Sequence, residues 1–236
     1  KRSMVSRDST AVYSHRFCKG LYLSPEVREM MRREMKECNR RTGGYRYSDI
    51  DFLLLQEVLE RSYRQGLDTL FSERVAAPLG LTRLCYRPLQ HFGPKEMAEG
   101  QRDNFLRHQT LRGDVDDEAA AMLGGVSGNA GLFGNAESCA VVCQMLLDDG
   151  RYGGRTLIDA ETIRHYTTYR HRPSPYALGF DRQRGDGRGN TCEEAPMSTY
   201  GHTGFTGTCF WIDPTNQIVY IFLSNRVAPQ RWNRKL

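Results

Sequence analysis

The periodicity of hydrophobic and polar positions divides the chain into a mostly helical part, residues 24–170, and a sheet part, residues 171–236. In the first part, apolar residues recur at helical spacing behind capping residues, which predicts a series of helices. These begin after Ser24-Pro25, after Ser48-Asp49, at Leu67, at Asn135 and at Asp159. The helix after Asp49 is so rich in leucine that we expect it to be buried on most of its sides.

Two segments lack a clear period. Residues 1–23 are predicted to be irregular, with scattered aromatic residues that contact a larger body. Residues 85–113 are rich in glycine, proline and charge, which predicts a long excursion over the surface. Loops of that length inside a compact domain often carry function.

Strands are predicted in the sheet part, where aromatic and β-branched residues cluster. Residues 208–213 and 217–224 form a terminal hairpin around the turn Asp213-Pro214-Thr215-Asn216. A further strand is expected at Tyr176–Phe180, and a mobile polar loop at 181–196. The pattern predicts an α+β fold in which a helical layer accompanies a C-terminal antiparallel sheet.

Composition supports a globular protein and excludes two classes of partner. Of the 236 residues 39% are hydrophobic and 26% are charged, which is typical of a folded domain. The net charge of +5 comes from both signs scattered along the chain, so we predict no nucleic-acid surface. No apolar run approaches the roughly 20 residues that span a bilayer. The chain begins at Lys1 without a methionine, which is the pattern of a cut start.

The chemistry of a metal site is not evident. Seven cysteines occur without a CxxC pair, and Cys139 and Cys143 share a helix face with no nearby histidine to complete a zinc set. The acids at 114–118 could ligate a metal, but the composition favours acids that cap a short helix. We therefore expect no metal and no cofactor.

The candidate site begins with the run Tyr200-Gly201-His202-Thr203-Gly204-Phe205-Thr206-Gly207 ahead of the hairpin. Its glycines leave no Cβ to block the close approach of a ligand to the backbone. His202 and Thr203 supply polar side chains there. A strand bend with two hydrogen-bonded polar residues explains such a short motif equally well.

Tyr47 is a second candidate because it stands just before a predicted helix N-terminus. A phenolate there gains from the positive end of the helix dipole. The alternative is a core tyrosine whose hydroxyl has a partner. Residues 124–134 form a glycine-rich turn without a GKS or GKT ending, so they are not a nucleotide-binding loop.

Five motifs in one order resemble a known superfamily. They are Tyr47-Ser48-Asp49, Pro78-Leu79-Gly80-Leu81, Leu123-Gly124-Gly125-Val126-Ser127-Gly128 with Gly131-Leu132-Phe133, Leu178-Gly179-Phe180, and His202-Thr203-Gly204. The chain resembles the serine β-lactamase and penicillin-binding-protein superfamily, on its class C and D,D-peptidase/esterase side. Within it, the chain is similar to the serine-hydrolase domain that some bacteria append to a family 3 β-N-acetylglucosaminidase. The resemblance runs from about residue 20 to the end and implies a β-lactamase/transpeptidase-like fold.

The resemblance implies a role for each matching residue. Tyr47 matches the tyrosine of Tyr-x-Asn, which works with a lysine to move the proton from the nucleophilic serine to the leaving group. Asp49 occupies the asparagine position, which contacts a substrate amide. His202-Thr203-Gly204 matches Lys-Thr-Gly, and the backbone N–H of Phe205 occupies the position that forms half of the oxyanion hole.

One element of the family is not in the sequence. The family nucleophile lies in Ser-x-x-Lys, but none of the five lysines follows a serine at that spacing. The chain as given therefore has no nucleophile of the family type. Either it is the C-terminal portion of a longer hydrolase, without the first strands and the nucleophile helix, or it is a domain that lost catalysis. On the first interpretation, a three-stranded remnant sheet exposes an edge that pairs with another chain or destabilises the fold.

The resemblance predicts an acyl-enzyme hydrolase of an amide or ester, linked to cell-wall metabolism and periplasmic or surface-attached in a bacterium. Histidine at position 202 is mostly neutral at pH 7, so a neutral ester or amide is a plausible substrate beside a peptidoglycan-derived one. The alternatives are a non-catalytic module that binds muropeptides or glycans and a structural domain fused to a glycosidase.

Overall fold

The computed structural model describes residues 4–38, 45–169 and 174–233. Its helices are α1 Glu26–Glu37, α2 Ile50–Tyr63, α3 Leu67–Phe71, α4 Glu118–Met122, α5 Ala136–Leu147 and α6 Ala160–Thr168. A π-helical turn, Ser72–Ala76, continues α3, and 3-10 turns cover Pro88–Gln90 and Pro94–Glu96. None of the helices within these ranges has the length and hydrophobicity that a bilayer crossing requires.

The strands form one larger sheet and several small ones. They are β1 Val5–Ser6, β2 His15–Cys18, β3 Leu21–Leu23, β4 Leu84–Tyr86, β5 Glu99–Asp103, β6 Gln109–Arg112, β7 Leu132–Gly134, β8 Arg151–Tyr152, β9 Arg155–Thr156, β10 Asp181–Arg182, β11 Tyr200–Gly204, β12 Thr208–Asp213 and β13 Ile218–Leu223. The larger sheet is antiparallel in the order β10-β11-β12-β13. Helices beside antiparallel sheets confirm the predicted α+β class.

Helix α5 covers one face of the larger sheet. Its Cys143 packs in a core cluster with Tyr200 of β11 and Ile212 of β12, and Val219 of β13 joins from the same face. Register pairs Tyr200 with Ile212 and Ile212 with Val219, so these three side chains form one row across the sheet. Burying such apolar side chains contributes about 1.5–3 kcal/mol each.

The prediction that residues 1–23 are irregular is wrong. They contain a three-stranded antiparallel sheet in the order β1-β3-β2. Phe17 and Cys18 of β2 and Leu23 of β3 are buried in a core with Val27 of α1 and Ala120 of α4. Strands of two to four residues are too short to show a period of two in the sequence, and tertiary burial stabilises them instead.

The predicted surface excursion at 85–113 is also wrong in its centre, where β5 and β6 form a hairpin. Arg107, between these strands, has no exposed side-chain surface. Its guanidinium donates to Asp103 Oδ2 at 2.5 Å and to the carbonyls of Val115 and Asp116 at 2.6 Å each. A charge that has all these partners can be buried, and sequence composition does not reveal the partners.

The sheet part departs from prediction at its first strand. Tyr176–Phe180 forms bends, and the strand lies at β10 instead, where Asp181 and Arg182 are buried. Arg182 donates to the carbonyls of Thr167 and Met197, which explains how this segment enters the core. The predicted polar loop at 181–196 is therefore wrong at its start, and the sheet has four strands rather than three. The predicted boundary at 170/171 lies outside the described residues.

Helix α2 is not buried on most sides. Only Leu53 and Gln56 are buried, whereas Leu55 is 54% and Val58 58% exposed. On the buried side, Gln56 donates to the carbonyl of Val126 at 3.2 Å and accepts from the N–H of Gly128 at 3.0 Å. Leucine density shows that a helix face needs a covering partner. Within the described ranges, the face that carries Leu55 and Val58 has none.

Candidate active site

Strand β11, an inner strand of the larger sheet, carries the first five residues of the polar run. Gly201 is required there, because a Cβ at this position would lie 2.0 Å from the carbonyl oxygen of Phe210 on β12. Gly207 adopts a φ of 99°, which favours glycine in the turn into β12. The glycines thus permit a tight hairpin, and His202 and Thr203 project from its first strand on opposite faces.

The structure brings Tyr47 and His202 together from distant parts of the chain. Their ring centroids are 6.4 Å apart. Tyr47 is 54% exposed, so this contact lies at the surface, within reach of a ligand. Asp49 starts helix α2 beside it with an exposed side chain that makes no cap hydrogen bond. The cap is instead Ser48, whose Oγ accepts from the N–H of Ile50 at 3.2 Å.

The tautomer of His202 follows from one hydrogen bond. Its Nδ1 lies 2.7 Å from the carbonyl oxygen of Thr203. A carbonyl only accepts, so Nδ1 carries the proton and donates it. In the neutral imidazole, Nε2 is then a hydrogen-bond acceptor, which can receive a hydrogen bond from a ligand.

Two tyrosines that the sequence analysis did not select join this pair. Tyr176 lies 5.9 Å from Tyr47 and 6.1 Å from His202, and Tyr45 stacks on Tyr176 at 5.4 Å (ring centroids). We call Tyr45, Tyr47, Tyr176 and His202 the aromatic cluster. The Tyr-x-Tyr spacing at 45–47 was a signal, since alternate residues of an extended segment share a side. Nothing local in the sequence points to Tyr176.

Burial and nearby negative charge keep the phenols of the cluster protonated. Burial raises the pKa of Tyr47, and the Asp49 carboxylate and Tyr176 raise it further. Burial also raises the pKa of Tyr45, to about 12, although the Arg184 guanidinium opposes the shift. At pH 7 both phenols therefore hold their protons and can donate hydrogen bonds. A phenolate at Tyr47 needs an additional cation.

Phe205 follows β11 and lies under two arginines. The guanidinium carbons of Arg226 and Arg231 are 5.0 and 5.3 Å from its ring centroid. Its carbonyl accepts from Arg226 Nη2 at 2.5 Å. Gly204 and Gly207 close the turn with a backbone hydrogen bond of 3.0 Å. The backbone around Phe205 is thus held in place, which a preorganised oxyanion site requires.

Two further polar side chains have structural contacts. Ser127 of the glycine-rich turn is 1% exposed and donates to Asn129 Oδ1 at 2.6 Å. Asp117 caps helix α4 by accepting from the N–H of Ala120 at 2.7 Å. Among the described residues, no group of three histidine, cysteine or acidic side chains is placed to hold a metal ion.

Comparison with known proteins identifies the family. The beta-lactamase family model matches residues 10–235. The chain belongs to the beta-lactamase family. This membership confirms the resemblance at the level of the superfamily.

A curated relative from Escherichia coli K12 is provisionally named a D-alanyl-D-alanine carboxypeptidase and is 38% identical over 196 residues. That match covers 76% of this chain but only 44% of the relative, so the chain spans less than half of the relative's length. Solved structures share the fold. A beta-lactamase from Mycobacterium bovis gives a TM-score of 0.55 at 20% identity, covering 78% of this chain and 57% of the other. A penicillin-binding-protein homologue from Caulobacter crescentus gives 0.53 at 23% identity, covering 78% and 53%.

Proposed function

We propose that this chain carries the proton-transfer and oxyanion side of a serine hydrolase that cleaves an amide or ester through an acyl-enzyme. The observation that carries the proposal is the contact of Tyr47 with His202, because these are the two residues that the family motifs select. Family membership makes a serine hydrolase the first expectation. The name of the Escherichia coli relative favours a peptide that ends in D-alanyl-D-alanine as substrate.

Each residue has a role in this proposal. A serine hydroxyl attacks the substrate carbonyl, and its proton passes by way of Tyr47 and a lysine to the leaving amine or alcohol. The N–H of Phe205 donates to the oxyanion, and Thr203, Gly204 and Asp49 bind the substrate backbone. Water then hydrolyses the acyl-enzyme. The raised pKa of Tyr47 suits a group that returns a proton to the leaving group, once a cation lowers the cost of its phenolate.

The serine and the lysine are outside these 236 residues in this proposal, since the sequence contains no Ser-x-x-Lys. The chain alone then forms no acyl-enzyme, whereas the full-length gene product does. Its location is periplasmic or attached to the cell surface, where peptidoglycan-derived substrates occur. A glycosidase domain on the same polypeptide fits this placement and belongs to the same proposal.

Intact-mass spectrometry with a penicillin and a p-nitrophenyl ester tests the proposal. We expect one covalent adduct on the full-length product and none on the 236-residue chain. Tyr47→Phe in the full-length product should slow acylation by about a hundredfold or more, since a positioned proton-transfer group contributes 10²–10⁴. Tyr63→Phe, at the exposed end of α2, is the matched control and should leave the rate unchanged.

A binding function is the second candidate, and the lack of a nucleophile in the sequence favours it. In that case the aromatic cluster holds a muropeptide or glycan without cleaving it. A full-length product that binds these ligands saturably but never gains an adduct would contradict the hydrolase proposal and support the binding module.

A further inference from the structure

Tyr176 is the centre of the aromatic cluster. Among the described residues, it is the ring that contacts Tyr45 and Tyr47 on one side of the site and His202 on the other. Tyr45 and Tyr47 belong to the segment ahead of α2, and His202 belongs to β11. The rings of Tyr47, Tyr176 and His202 form a triangle whose sides are 5.9, 6.1 and 6.4 Å. Tyr176 therefore links the helical part to the sheet at the candidate site.

Tyr47 needs such a link. It lies ahead of the first turn of α2, so the helix hydrogen bonds begin after it. Its ring is more than half exposed, and its ring contacts in the described ranges are with Tyr176 and His202. A surface tyrosine with few contacts samples several rotamers. Proton transfer requires one of them, because a misplacement of about 1 Å can cost a hundredfold in rate.

Tyr176 itself is held by its neighbours on both sides. Its N–H donates to Ser174 Oγ at 3.1 Å, and the following residues bond to α6 through Leu178 N–H and the Tyr166 carbonyl at 3.1 Å. The Arg184 guanidinium carbon lies 5.7 Å from the Tyr176 ring centroid. Arg184 in turn lies 3.7 Å from the buried carboxylate of Asp181 on β10, the strand beside β11.

We propose that Tyr176 is a positioning residue whose ring holds Tyr47 against His202. Its catalytic consequence rests on the function proposed above, but the positioning itself does not. The ring, rather than the hydroxyl, supplies the contacts to Tyr47 and His202. Phenylalanine should therefore replace it, and leucine should not.

The test is NMR of the 236-residue chain, which contains six histidines and so gives six resolvable imidazole signals. In Tyr176→Leu we expect the ring signals of both His202 and Tyr47 to move, because both rings lose their contact with the ring of Tyr176. Tyr176→Phe should keep the wild-type signals. The matched control is Tyr169→Leu, because Tyr169 lies 5.3 Å from His165 outside the site (ring centroids). It should move the His165 signal and leave His202 in place.

The proposal is overturned if Tyr176→Leu leaves the His202 and Tyr47 signals unchanged, or if Tyr176→Phe disturbs them as much as leucine does. If the leucine variant fails to fold, nuclear Overhauser contacts in the wild-type chain test the positioning proposal instead. Contacts from the Tyr176 ring to both Tyr47 and His202 support the proposal, and their absence overturns it.

Kinetics separate this proposal from the proposed function. In the full-length product, Tyr176→Leu should lower kcat by about tenfold to a hundredfold with little change in KM, and Tyr176→Phe should stay near wild type. A wild-type protein that never acylates, combined with the expected NMR shifts, refutes the hydrolase and leaves the positioning role intact. If Tyr176→Leu acylates fully with a normal kcat, the positioning role is refuted and the hydrolase proposal is not.

Discussion

The two faces of the sheet β10–β13 differ in what covers them. On one face, Tyr200, Ile212 and Val219 pack against α5 in a core cluster. On the opposite face, Ile218 and Tyr220 are each 53% exposed. Trp211 also lies on that face but is buried, beside Gly201, where a Cβ would lie 2.7 Å from its ring. We call the face that packs against α5 the covered face and the opposite face the open face.

The comparison shows that alternation alone does not decide burial. Both faces carry aromatic and aliphatic residues, so the sequences of β12 and β13 predict strands that are apolar on both sides. Helix α5 packs against the covered face. His202 lies on the covered face, in register with Phe210, whereas Thr203 projects from the open face. The open face and the exposed side of α2 are apolar surfaces of the kind that contact other protein segments.

The largest expected difference between the faces is in thiol reactivity. Burial raises the pKa of Cys143, under the covered face, to about 12, from 9.0 for an ordinary thiol. Its thiolate fraction at pH 8 is then about a thousandfold below that of an ordinary thiol. Cys209 on the open face is half-buried, and burial raises its pKa as well. Mass-resolved alkylation should modify Cys209 well before Cys143, and the reverse order would show that the faces are assigned incorrectly.

The same shift predicts a pH dependence. Folding raises the pKa of Cys143, so the folded state favours the protonated thiol. This stabilisation is fully present below pH 9 and is lost as the pH rises from 9 through about 12. Cys143→Ala removes the titrating thiol and should flatten the fall in stability over that range, measured by urea unfolding at each pH. An unchanged slope in the variant would exclude Cys143 as the cause.

A pair of isoleucine substitutions should differ in stability. Ile212→Ala on the covered face should lower the free energy of unfolding by about 3 kcal/mol, since it leaves a cavity in the core. Ile218→Ala on the open face should change it by less than about 0.5 kcal/mol, because half of its side chain is already in water. Urea unfolding followed by circular dichroism measures both. Equal losses would mean that a partner covers the open face in solution.

The double substitution Tyr220→Ser and Phe222→Ser should have a small effect on stability. Both residues are exposed on the open face, so the free energy of unfolding should change by no more than about 1 kcal/mol. Self-association should decrease, because β13 is an uncharged edge strand whose backbone can pair with another chain. Sedimentation velocity against the wild-type chain measures this. If the double variant associates as strongly as wild type, the self-association contact lies elsewhere on the molecule.

Prediction from the sequence succeeded where capping residues or a run of apolar residues mark an element. Helices α1, α2, α3, α5 and α6 and the hairpin β12–β13 all lie where the pattern of apolar residues and caps places them. It failed for strands of two to four residues, such as β1 and β10, whose hydrogen bonds depend on partners distant in the chain. It also failed for Arg107, since composition marks a charge as exposed and cannot show that Asp103 and two carbonyls pair with it.

The residues of the candidate site likewise divide into those that the sequence predicts and those that only the structure shows. The motifs alone selected Tyr47, Asp49 and His202-Thr203-Gly204, because family motifs and glycine-dependent turns are local properties of the sequence. Their roles remain predictions. The sequence by itself therefore determined the family, the longer elements and these residues. Only the tertiary structure decided that the Tyr176 ring contacts both Tyr47 and His202 and that one face of the sheet is covered, because contact and desolvation depend on which distant residues the fold brings together.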